Sequence, residues 1–192
     1  MKIHLIHGIH TAEDNNTVAQ LIPYLEFSTG LEVVYHRYGY AFALTSRFLN
    51  PWRAKKIAKA IKPGDVCVGH SNGACLIWMM AAKYRAQIGG AVLINAALDV
   101  DAVFPKCMKF VHVYYNKDDV AVSFAEFFLF AHPWGAMGRD GYVGTDPRVK
   151  NFDCQAPAYG FPISGHGHIF HPENLRYWGN LIAVGIKEAI HG

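Results

Sequence analysis

The stretch Val66-Cys67-Val68-Gly69-His70-Ser71-Asn72-Gly73-Ala74 decides how this chain is read. Val66 to Val68 is a short apolar run with the character of a buried strand. Residues 74–82 read Ala-Cys-Leu-Ile-Trp-Met-Met-Ala-Ala, apolar and rich in helix formers. Between them stands Gly69-x-Ser71-x-Gly73. A serine on a sharp strand-to-helix turn can project its hydroxyl above a sheet, and the glycines let strand and helix approach closely. Five residues of this form arise by chance. With a strand before them and a helix after, they form a candidate nucleophile elbow, and the rest of the chain must supply its partners.

A serine hydroxyl is a poor nucleophile until a base accepts its proton, and that base needs an acid to fix its tautomer. Residues 110–115, Phe-Val-His-Val-Tyr-Tyr, form a strand-like run ending in Asn116-Lys117-Asp118-Asp119-Val120. Asp118, where the strand ends, is the leading acid. Asp119 is its competitor, and either could instead cap a helix. Gly165-His166-Gly167-His168 offers two bases. His166 is preferred because it follows the Ser164-Gly165 turn, and His168 is the alternative. An H-x-H pair could also bind a metal, but no further ligands at suitable spacing can be assembled.

An oxyanion needs preorganised donors. The Asn72 N–H at the start of the helix is one. His7-Gly8-Ile9-His10 follows an early strand, and there the Ile9 N–H supplies the other. His10, His70 and Phe124 are candidates for lining a substrate cleft. His70 is better placed to shape the pocket than to act as base. Asn95 ends a strand and either lines the cleft or caps the turn.

The remaining sequence agrees with an α/β arrangement. Residues 2–7, 31–38, 66–68, 91–95 and 110–115 read as strands, and 148–154 as a final one. Helical spacing covers 17–25, 53–61, 74–85 and 172–190. Residues 39–52 form a long aromatic connection without a clear period. Continuous rather than alternating apolar strands predict a mostly parallel sheet covered on both faces by helices. The length, 192 residues, fits one domain, 1–192. A small lid or loop insertion is expected at about 120–160, where Phe124, Phe127, Phe128, Phe130, Trp134 and Tyr142 cluster.

Composition excludes several functions. A net charge of +3 is too mild to argue for nucleic acid or an anionic membrane as partner. No apolar run reaches the roughly 20 residues that span a bilayer. Cys67, Cys75, Cys107 and Cys154 form no C-x-x-C pair and suit reduced thiols. The start, MKIHLIHG, lacks the features of a signal peptide, so the expected location is cytoplasmic.

Taken together, His7-Gly8, Gly69-His70-Ser71-Asn72-Gly73, Asp118 and Gly165-His166 resemble the α/β-hydrolase family, whose order is serine, acid, histidine. The resemblance implies a compact α/β-hydrolase fold without a large cap domain. It also implies a sheet lacking the first one or two strands of full-size members. The expected activity is hydrolysis of a carboxylic ester on a small acyl substrate, with no metal or organic cofactor required. The alternatives are acyl transfer on the same fold, or a binding protein that has lost turnover.

Overall fold

A computed structural model describes residues 1–9, 18–38, 43–121, 134–156 and 162–192. Its strands are β1 (Ile3–Ile6), β2 (Val33–His36), β3 (Val66–His70), β4 (Gly90–Ile94), β5 (Phe110–Tyr115) and β6 (Val149–Asp153). Its α-helices are α1 (Ile22–Thr29), α2 (Ala43–Ala58), α3 (Asn72–Ala82), α4 (Met137–Asp140) and α5 (Pro172–His191). The six strands form one sheet in the order β2-β1-β3-β4-β5-β6, and every pairing is parallel.

The central strands are mostly apolar because both faces of the sheet are covered. β1, β3 and β4 are buried at every position, whereas the edge strands β2 and β6 have no fully buried residue. Ala54 and Ile57 of α2 share one core with Leu76, Ile77 and Met80 of α3. Leu25 of α1 shares the other with Trp178, Ile182 and Ile186 of α5. Register aligns the strand ends. Ile6 lies beside Gly69, Gly69 beside Leu93, and Ile94 beside Tyr114. The residues that follow β1, β3, β4 and β5 therefore emerge along one edge, the usual place for a ligand in a parallel sheet.

The helix expected over 74–85 runs Asn72–Ala82, Met137–Asp140 forms a short helix where none is expected, and two helices differ more. The first begins as a 3-10 turn, Val18–Leu21, and becomes α1 only at Ile22, with Pro23 in its first turn. The second, expected over 53–61, runs Ala43–Ala58 and encloses Pro51. Its inward face is Ser46, Asn50, Arg53, Ala54 and Ile57, all buried. The helical period is present there, but written partly in polar residues.

At the opposite edge of the sheet, Asp65 closes the strand starts. Its carboxylate accepts the Lys2 N–H at 2.7 Å and the Lys62 N–H at 2.8 Å, and it lies 3.0 Å from His4 Nε2. His4 Nδ1 is 2.8 Å from His36 Nε2. These histidines serve the sheet. The four cysteines are free, and burial pushes the Cys75 thiol up to about 12.

Candidate active site

Ser71 stands between β3 and α3 with φ 54° and ψ −122°, a conformation that L-residues rarely adopt. Such strain costs on the order of 1–3 kcal/mol and persists only when its surroundings fix it. Here the Ser71 N–H donates to the Ile94 carbonyl at 2.9 Å. The Ser71 carbonyl accepts from Ala74 at 3.1 Å and Ala97 at 3.2 Å. The two motif glycines answer close approach. A Cβ on Gly69 would lie 2.6 Å from Ile77 Cδ1, and one on Gly73 would strike the carbonyl oxygens of Ile6 and His7. Gly8 brings the turn after β1 against the elbow, since a Cβ there would lie 3.0 Å from Ser71 Cβ.

The structure brings His166 to Asp119 and not to Asp118, the acid favoured by the sequence. His166 Nδ1 lies 2.9 and 3.0 Å from the two Asp119 oxygens. Asp119 is fully buried, and Asn95 Nδ2 donates to it at 2.9 Å. Asp118 is exposed and takes a bond from Gln155 Nε2 at 2.5 Å. The reason is a tight turn built on Asn116. Its side-chain oxygen accepts the Asp118 N–H at 3.1 Å, and its carbonyl accepts the Asp119 N–H at 3.1 Å. That turn leaves Asp118 outside and sends Asp119 in.

Asn116 also holds the histidine loop. It donates to the Gly165 carbonyl at 2.9 Å and accepts the Gly165 N–H at 3.2 Å. Gly165 and Gly167 have φ 92° and 80°, so the chain can fold His166 back onto the acid. The His166 ring rests 4.7 Å from that of His70, next to Ser71. No hydrogen bond joins Ser71 to His166 among the described residues; the ring contact is made by His70, the residue before Ser71 in the chain. His70 is buried, with Phe170 edge-on at 5.0 Å. Burial first, then the charges of His166 and His7, hold it well below the usual histidine range. It is a neutral ring packed under the base candidate.

Asn72, the first residue of α3, has an N–H that no preceding helical carbonyl accepts. Its side chain is clasped from three directions. Its oxygen accepts from Asn50 Nδ2 at 2.6 Å and Trp134 Nε1 at 3.0 Å. Its nitrogen donates to Asn50 Oδ1 at 3.1 Å and Tyr38 Oη at 3.4 Å. Tyr38 also donates to the His7 carbonyl, and the two rings stack at 3.9 Å. Burial lowers His7, and Arg53 adds to that, while its bond to the Gly8 carbonyl opposes it. Ile9 follows Gly8 in this turn, half-buried against the α2–α3 core.

Solved structures of known proteins share this fold. A carboxyl esterase from the fungus Tuber melanosporum superposes with a TM-score of 0.56 at 13% identity, covering 98% of this chain and 78% of that one. Est1E from Butyrivibrio proteoclasticus gives 0.57 at 14%, covering 99% and 88%. An α/β-hydrolase enzyme from a deep-sea metagenome gives 0.56 at 12%, covering 100% and 85%. The chain has the α/β-hydrolase fold. No protein-family model matches the sequence, and no curated protein does.

Within this α/β-hydrolase sheet, Ser71, the His7-Gly8-Ile9 turn, Asn95 and Asp119 all follow strand ends on one edge. His168 does not share the acid. It is exposed, and its ring lies 4.5 Å from that of His171. His10 and Phe124 lie outside the described residues, as do 122–133 and 157–161 of the expected insertion. The described part of that insertion is tied down. Met137 and Gly138 donate to the carbonyls of Leu98 and Ala96, and Val143 donates to that of Val100. No described cluster of three or more His, Cys, Asp or Glu could hold a metal, and no described helix is long and apolar enough to cross a membrane. The sequence reading missed Asn116, Tyr38, Asn50 and the role of Asn95. The only signal for them was an amide or phenol beside a strand end or on a helix without an apolar stripe.

Proposed function

We propose that the protein is a serine hydrolase that cleaves a carboxylic ester through an acyl-enzyme. Ser71 Oγ attacks the ester carbonyl while His166 Nε2 takes its proton. Asp119 accepts from His166 Nδ1, fixes the tautomer with a free Nε2 lone pair, and stabilises the imidazolium that forms. The oxyanion is held by the N–H groups of Asn72 and Ile9. His166 then returns the proton to the leaving alkoxide, and the acyl group remains on Ser71. A water deprotonated by His166 attacks the acyl carbonyl, and the acid departs as the proton returns to Ser71. The chain's own side chains and backbone supply every group in this sequence.

The observation that carries the reading is the pairing of His166 with the fully buried Asp119, with the His166 ring packed on His70, the residue before the strained Ser71. A carboxylate is rarely fully buried without a partner, and His166 Nδ1 is that partner here, which leaves its Nε2 as the nitrogen that would act as base. The esterases among the structural neighbours support the choice of ester chemistry. A fluorophosphonate probe tests it. A covalent adduct on Ser71 is expected, lost in Ser71→Ala and strongly slowed in His166→Ala, with His168→Ala unaffected. A folded protein that forms no adduct refutes the proposal.

A further inference from the structure

Helix α2 has two unlike faces. The inner one carries Asn50, which holds Asn72 beside the elbow. On the outer one Phe48 is 79% exposed, Trp52 61% and Leu49 39%. Lys55 and Lys56 are exposed on the same helix, and Lys59 in the turn that follows. Positions 48, 52, 55, 56 and 59 recur at helical spacing, so they share a side of the helix. Its first half is apolar and its second cationic, with Lys56 Nζ 5.4 Å from the Trp52 ring centre. Three large apolar side chains clustered on one exposed helix face call for a covering surface.

Charge narrows what that surface is. Between Glu32 and Asp65 the sequence holds seven Lys and Arg (Arg37, Arg47, Arg53, Lys55, Lys56, Lys59, Lys62) and no Asp or Glu. The rest of the chain carries 11 Lys and Arg against 15 Asp and Glu. A net charge of +3 therefore conceals a cationic segment on an otherwise acidic molecule. A partner must accept phenyl, indole and isobutyl groups beside a row of ammonium groups. A bilayer with anionic headgroups does both. Aromatic and aliphatic side chains enter the headgroup–acyl boundary, and lysines reach the phosphates. Nucleic acid would satisfy the lysines but offers Leu49 and Phe48 no apolar medium.

We propose that the outer face of α2 docks on an anionic lipid bilayer, with Phe48, Leu49 and Trp52 inserted and Lys55, Lys56 and Lys59 on the headgroups. The bilayer then lies one helix diameter, about 10 Å, from the residues that hold the elbow. The docking stands independently of the proposed hydrolysis, and its readout is binding.

The test is co-sedimentation of the whole protein with vesicles of equimolar phosphatidylglycerol and phosphatidylcholine, and with phosphatidylcholine alone. Binding to the anionic vesicles that weakens with added salt is expected. The combined Lys55→Glu, Lys56→Glu, Lys59→Glu variant should lose about a hundredfold in partitioning. Phe48→Ser with Trp52→Ser should lose binding even at low salt, and both variants should keep the wild-type circular dichroism and melting temperature. A blue shift of tryptophan fluorescence on vesicles should vanish in Trp52→Phe. Equal binding to neutral vesicles, wild-type binding by the glutamate variant, or binding to a DNA duplex without binding to vesicles overturns the proposal.

Discussion

The choice between two adjacent aspartates makes the sharpest test of the proposed mechanism. In Asp119→Asn the side chain keeps its shape and can still meet Asn95, but the charge facing His166 is gone. The ring nitrogen lies 2.9 Å from the nearer carboxylate oxygen, which puts the two charge centres about 4 Å apart. At an effective dielectric constant of about 20 their attraction is about 4 kcal/mol. That attraction exists only once His166 has taken the serine proton, so its loss falls on the transition state. A loss of about 4 kcal/mol slows kcat by about a thousandfold, with KM little changed. Asp118→Asn should stay within about threefold, because this carboxylate is exposed and its partner is Gln155 rather than His166. The assay is turnover of a p-nitrophenyl ester alongside the rate of fluorophosphonate labelling, with circular dichroism to confirm folding. If Asp118→Asn loses as much as Asp119→Asn, or if Asp119→Asn stays within tenfold of wild type, the assignment of the acid is wrong.

Three further outcomes are expected. Gly73→Ala drives a methyl into the carbonyl oxygens of Ile6 and His7, so it should lower stability by about 2–3 kcal/mol, read as a fall in melting temperature; an unchanged melting temperature would contradict the close approach. Trp134→Phe keeps an aromatic side chain but trims the indole to a phenyl and removes the N–H that Asn72 Oδ1 accepts at 3.0 Å, which should cost about 1–2 kcal/mol or more in urea unfolding and reduce kcat more than it raises KM. His112 is buried between the rings of Phe110 and Phe152, with its Nδ1 unbonded. Burial, then the Lys150 charge, lowers it to about 4. The unfolded chain therefore takes up a proton below about pH 6.5 that the folded one refuses. Stability from this residue is complete above that pH and drains away as the pH falls towards 4. His112→Leu should remove about 2 kcal/mol of that loss, and an unchanged slope of stability against pH in that interval would show that His112 is not its source.

The sequence exposed some elements better than others for a physical reason. The Phe110–Tyr115 strand is buried through five of its six positions, so its limits follow from a run that is apolar but for the buried His112. β1 and β3 are recognisable in the same way, although they run Ile3–Ile6 and Val66–His70 where 2–7 and 66–68 are expected. Helix α2 begins ten residues before the helix that apolar spacing predicts, 53–61. Its inward positions Ser46, Asn50 and Arg53 are polar, and Asn50 is buried because it meets Asn72 from another element. A pattern set by a partner 22 residues away leaves no apolar stripe in the helix itself. Whole-chain charge likewise averages over the basic segment between Glu32 and Asp65.

The serine motif was legible because its requirement is local: one strained residue and glycines where a Cβ would collide. The acid was not, because adjacent aspartates at a strand end differ only in which way the turn sends them. That direction is set by Asn116, through its side-chain oxygen on the Asp118 N–H and its carbonyl on the Asp119 N–H. The same side chain binds both backbone groups of Gly165, 49 residues further on. One buried amide thus orients the acid and anchors the loop that carries its histidine. The register between them does not depend on the long segment that separates them in the chain. This explains how a strand-end turn and a glycine-rich loop, each flexible alone, can hold a 2.9 Å contact. An amide has the donor and the acceptor needed to grip a backbone N–H and C=O at once, and no apolar or singly functional residue at 116 could do both.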